Sequence, residues 1–268
     1  MTWWCSAQGT PWTWTWQPYP GVWLLTAILL LGYAIAVKML RPPERPPARV
    51  SERLSFLAGV VLLWSATDWP IGPLGAGYLV SVHTAQYIVI TMAAAPLLLH
   101  GLPRWLLRAP LRSPAAGRSM RILSRPLVAF LVFNVVLVAT HLPAVVDGLK
   151  ATQLGSFAID MAWLVAGLVF WWQVLGPVPE LQPLSYPGRI VFLLLNVFVP
   201  TVPAAFLTFA DYPIYAVYEL APRIGGISAT QDQQLAGLTM KIVGGFIIFG
   251  TASVLFFKWY RAEERATP

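Results

Sequence analysis

Seven apolar runs dominate this chain, at 21–40, 54–70, 74–99, 126–143, 153–175, 188–210 and 233–257. A bilayer core about 30 Å thick needs about 20 apolar residues at 1.5 Å each, and each run comes near or beyond that. Only 11% of the 268 residues are charged, against about 25% in a soluble domain. So few charges cannot solvate a water-facing surface of this size. That excludes a soluble enzyme, a disordered chain and a nucleic-acid-binding domain. The 24 prolines and 20 glycines exceed what polar loops can hold, so some lie at or inside spans, where neighbouring helices tolerate them. The expected fold is all-α: a polytopic membrane protein, a seven-transmembrane-helix bundle occupying 21–258.

Orientation follows from the basic residues. Lys38 to Arg53 follow the first run, Arg104 to Arg125 the third, Arg189 the fifth, and Lys258, Arg261 and Arg265 the seventh. Together these make 15 of the 18 Lys and Arg, all on one side. Lys150 and Arg223 fall in loops on the other side, and Lys241 falls inside the seventh run. The positive-inside rule then places the N-terminus outside and a tail, 259–268, in the cytoplasm.

The first 20 residues carry Trp3, Trp4, Trp12, Trp14 and Trp16 between prolines and threonines, an outer interfacial segment by composition. No basic residue precedes a short apolar core, so an uncleaved N-terminus is expected. The single cysteine, Cys5, excludes an intramolecular disulfide, a four-thiolate zinc site and a CxxC motif.

Ionisable and soft side chains within the runs are few, and each is a functional candidate because burial in lipid is costly. His83 lies about nine residues below the outer end of the third run, with Gln86 and Tyr87 on the same face one turn later. His141 closes the fourth run, Asp160 and Met161 lie about 12 Å into the fifth, and Met240 and Lys241 at similar depth in the seventh. All sit in the outer half. Imidazole and thioether groups suit copper, the thioether favouring Cu(I), so His83, His141 and Met161 are candidate copper ligands, with Asp160 and Met240 as further members. His83 reads equally well as an interhelical hydrogen bond that fixes packing. Asp160 and Lys241 read as an intramembrane pair, either structural or part of a transport path. Thr230 and Gln233 fit a capping box opening the last span, with Asp232 favouring its N-terminal dipole.

Several segments resemble the membrane-embedded CtaG family linked to assembly of caa3-type cytochrome c oxidase. They are SVHTAQY at Ser81–Tyr87, APLLLHGLP at Ala95–Pro103, THLP at Thr140–Pro143, GLVFWW at Gly167–Trp172 and DQQLAGLTM at Asp232–Met240. Asp232, Gln233, Ala236, Gly237 and Met240 match the family's DQ-x-x-AG-x-x-M signature. The family carries a second histidine where this chain has Tyr87, and an H-x-x-E-H pattern where it has Phe157, Asp160 and Met161. The resemblance implies a bacterial inner-membrane, multi-pass protein. It also implies a non-enzymatic assembly factor that assists copper insertion or maturation of the copper-bearing catalytic subunit of the oxidase.

Two other readings compete. A retinal protein would use Lys241 for the Schiff base, but the third run carries no carboxylate counter-ion. A small-molecule or ion transporter would use the Asp160/Lys241 pair, but no internal repeat is visible and the inner half is almost without polar groups.

Overall fold

A computed structural model describes residues 2–181 and 184–265; residues 266–268 of the tail lie outside the described residues. Among these the chain is helical with no strand. Six helical segments are long and apolar enough to cross a membrane. They are α1 (Pro20–Met39), α2 (Val50–Thr67), the continuous stretch α4 (Val80–Ile88) to α5 (Ala95–Gly101), α10 (Gln153–Leu175), α11 (Tyr186–Phe209) and α13 (Ala229–Glu264). Short helices lie between them: α3 (Ile71–Gly77), α6 (Arg104–Arg108), α7 (Pro114–Leu123), α8 (Pro126–Ala139), α9 (Pro143–Lys150) and α12 (Ala216–Glu219).

The fourth run behaves differently from the reading as one straight span. Its helix, α8, has 14 residues, about 21 Å at 1.5 Å each and short of a bilayer core. It bends by 76° from α7. Thr140 and His141 form a turn, and Pro143 opens α9 because its fixed φ suits a first helical turn. The third run also divides. Ile71–Gly77 folds as separate α3, and the span starts at Val80, so His83 lies in its first turn rather than nine residues down. Val89–Ala94 adopt a π-helical turn just ahead of Pro96, whose ring cannot continue the ordinary ladder.

Helix ends follow local chemistry. Thr152 caps α10 by accepting from Gly155 N, and Gly176 ends it in the left-handed region that glycine adopts without strain. The last helix is capped by Ser228, paired reciprocally with Gln231, two residues before the box expected at Thr230 and Gln233. α13 then runs unbroken through Glu264, past the boundary read at 258.

Packing explains which helices are inner. α13 lies along α11 and α4; α10 packs on α8 and α5, and α2 on α5. The stretch from α4 to α5 and α10 are the most enclosed spans, and α1 the least. Phe133, Phe170 and Phe192 interlock with centroids 4.6 and 5.4 Å apart, and Trp171 donates its indole N–H to Thr91 O at 2.9 Å. Asn134 donates to Asn196 across α8 and α11 at 2.8 Å, an interhelical bond of about 0.6 kcal/mol by analogy with other membrane proteins. One end of the bundle is closed by the N-terminal segment, α3, α9 and α12. The basic α6 and α7 lie at the other.

Candidate functional site

The closed end holds a buried polar cluster built by α4, the turn after α8, α10, α9 and α12. His83 is fully buried, with its ring centroid 5.8 Å from His141, 4.9 Å from Trp163 and 6.0 Å from Tyr218. Tyr87, one turn on, packs edge-on to His141 at 5.2 Å and to Trp163 at 5.5 Å. His141 Nδ1 bonds Leu137 O at 2.8 Å, whereas His141 Nε2 and both nitrogens of His83 have no hydrogen-bond partner among the described residues.

Neighbouring groups are tied down. Trp163 donates to Thr140 Oγ1 at 2.8 Å, Tyr215 to His141 O at 2.9 Å and Tyr218 to Gly75 O at 2.6 Å. Burial raises the phenol pKa of both Tyr215 and Tyr218, so they serve here as neutral donors.

Behind Trp163 lies an ion pair that differs from the one expected. Asp160 faces Lys150, not Lys241: Lys150 Nζ is 3.4 Å from Asp160 Oδ1 and 5.3 Å from the Trp163 ring centroid, and it is fully buried. Trp4, also fully buried, donates its indole N–H to Asp160 Oδ2 at 2.8 Å. A charge at this depth needs both partner and donors, and α9 and the N-terminal segment fold back to supply them. Ala7 N donates to Lys150 O and Trp3 N to Gln153 Oε1, pinning that segment in place. Lys241 instead donates to Thr201 Oγ1 at 2.5 Å, which removes the pair the transporter reading needed.

The remaining expected residues separate. Met161 lies about 200° around α10 from Trp163 and packs with the cluster of Trp4, Cys5, Tyr19, Val22 and Ala76. Met240 is buried beside Tyr87 and Lys241 in a cleft between α4, α8, α11 and α13. Asp232 reaches across to α4, where its carboxylate accepts from Val80 N at 2.5 Å and from Ser81 N and Oγ, capping that helix. Gln233 accepts from Ile214 N at 2.7 Å and donates to Tyr212 O at 3.2 Å. Two adjacent motif residues therefore hold the segments that frame the histidines. Cys5 bonds Thr67 O; burial, then the charges of Asp160 and Asp68, push its thiol well above the usual range and keep it from acting as a thiolate.

Among the described residues no three His, Cys, Asp or Glu side chains converge as metal ligands. The histidine pair offers two neutral imidazoles and no third donor from the expected set. Sequence reading missed Lys150, Trp4, Trp163 and Tyr218. The one available signal was that Lys150 is one of two cations, with Arg223, in the loops on the side opposite the basic ones.

A family model described as cytochrome c oxidase caa3 assembly factor (Caa3_CtaG) matches residues 31–262, which takes in every spanning helix at least in part. The chain belongs to that family. Two uncharacterized proteins, of Mycobacterium bovis and Mycobacterium tuberculosis, are each 27% identical to it over 183 residues, 62% of this chain. The match spans 27% of their length, so the chain covers about a quarter of these relatives. No solved structure matches the chain.

Proposed function

We propose that the chain is a non-catalytic assembly factor of a bacterial cell membrane that takes up copper(I) as cargo on His83 and His141. It would present the ion to the copper-bearing subunit of a cytochrome c oxidase. One observation carries the reading: three imidazole nitrogens on rings 5.8 Å apart lack partners while the adjacent ion pair, Trp163 and both tyrosines have theirs. Imidazole suits copper, and a monovalent ion on two neutral rings costs less to hold in a low-dielectric core than a divalent one. Family membership supplies the oxidase side of the reading.

In this reading α8 and the turn at Thr140 and His141 provide a seventh crossing, with the N-terminus outside and Arg104 to Arg125, α7 included, in the cytoplasm. The histidine pair then lies in the outer half of the membrane, the side from which oxidase copper arrives, and can meet a partner subunit at similar depth.

The test is copper per chain after purifying the full chain in detergent with Cu(I) under reducing conditions. The wild type should hold about one equivalent, His83→Ala and His141→Ala close to none, and Met161→Ala the wild-type amount. Copper retained by both histidine variants would rule out this site, and none in the wild type would remove copper from the proposal.

A further inference from the structure

We propose that the cleft between α4, α8, α11 and α13 receives a transmembrane helix of a partner protein, whose Asp or Glu side chain pairs with Lys241. The cleft has a volume of about 180 Å³ and is lined by Tyr87, Asn196, Pro200, Met240, Lys241 and Gly244 among others. That is room for side chains of an incoming helix, which would lie across its mouth.

Charge points to the partner. Lys241 lies twelve residues into α13, about 18 Å along its axis, and among the described residues its ammonium has only the hydroxyl of Thr201. The ion pairs among the described residues are Arg108 with Glu180 and Lys150 with Asp160. The sequences of α4, the π turn, α8 and α11 contain no Asp or Glu. On α13 itself Asp232 is nine residues back, about 13.5 Å away along the axis, with its carboxylate spent on Val80 and Ser81. Glu263 and Glu264 lie more than 20 residues onward. Ionisable groups at membrane depth pair with one another or line a functional path, and the carboxylate that would answer this one is not supplied by the walls of its own cleft.

Shape points the same way. Lys241, Gly244, Gly245 and Ile248 share one face of α13 at helical spacing. A Cβ built at Gly244 or Gly245 meets nothing within 4 Å, so the backbone there is open to close approach. Small residues of this kind let transmembrane helices meet.

Depth selects a protein carboxylate over a lipid phosphate. The cleft is walled at the middle of its helices, by Phe133 of α8 and by Asn196, the eleventh of 24 residues in α11. A phosphate stays at the headgroup level, whereas a side chain on a spanning helix reaches this depth.

The inference does not depend on copper, and its test contains none. The full chain, labelled with a donor dye, is reconstituted in phosphatidylcholine nanodiscs with an acceptor-labelled single-span Leu/Ala peptide carrying one central Glu, Gln or Lys. The Glu peptide should associate at least about tenfold more tightly than the Gln peptide, a coupling of about 1.4 kcal/mol. Lys241→Gln should bind both alike, Lys241→Glu should prefer the Lys peptide, and Gly244→Leu should weaken the Glu peptide. Equal binding of Glu and Gln peptides to the wild type would overturn the proposal, as would a Glu preference that survives Lys241→Glu. A preference abolished by replacing about a third of the lipid with phosphatidylglycerol would assign Lys241 to lipid phosphate and overturn it too.

Discussion

Trp163 separates two buried polar groups that solve the same problem in opposite ways. On one side Asp160 has a partner on each oxygen, Trp4 and Lys150, and Lys150 also lies beside the Trp163 ring. On the other side His83 and His141 leave three ring nitrogens without partners among the described residues. Histidine can do this at modest cost because a neutral imidazole loses hydrogen bonds on burial, whereas an unpaired charge loses far more. In the proposed reading the contrast separates structure from function: the ion pair fastens the N-terminal segment and α9 to α10, and the histidines serve a ligand. It also makes the pair a positioning device, since Trp163, held from behind by Lys150, forms the wall against which His83 rests.

The comparison breaks most sharply at Asp160. Asp160→Asn leaves Lys150 buried without a counter-charge and should cost about 3–5 kcal/mol, read as a lower unfolding temperature in detergent. Replacing both partners with apolar residues, Lys150→Met with Asp160→Leu, should recover most of that loss. If the single substitution proved harmless, the pair would not be the fastener described above. Next in size is Trp4→Phe, which keeps a smaller aromatic ring and removes the donor to Asp160. A hydrogen bond to a charged group is worth about 1.5–3 kcal/mol, and protease cleavage within the first 20 residues should rise as the segment loosens. The smallest effect belongs to the histidine side. His83→Leu is close in volume and leaves no unsatisfied nitrogen, so stability should stay within about 1 kcal/mol of wild type while copper is lost. A large destabilisation there would mean that His83 is a structural residue.

Much of the molecule was legible from local pattern. Apolar runs and scarce charge identify spanning helices because lipid demands both over any 20-residue stretch, regardless of neighbours. His83 and His141 stood out for the same reason, as costly groups in apolar surroundings, and the structure brings their rings together across 58 residues of sequence. Pattern failed where the chain turned back on itself. The run at 126–143 carries no charged residue, yet its helix ends at Ala139, four residues short of Pro143, and bends by 76° from α7. Asp232 reads as a cap for its own helix, but its carboxylate caps α4 instead.

The sequence by itself determined the class of the protein, its apolar helices and the few polar groups worth following, since each depends on residues close in the chain. The partners of those groups were decided only by the tertiary structure. Lys150 reads as a solvated loop residue until α9 folds over α10 and buries it against Asp160. Lys241 reads as the natural mate of Asp160 until α13 is seen to lie along α11, with Thr201 at its tip. Periodicity reports which face of a helix is apolar; it carries no information on which distant helix that face will meet.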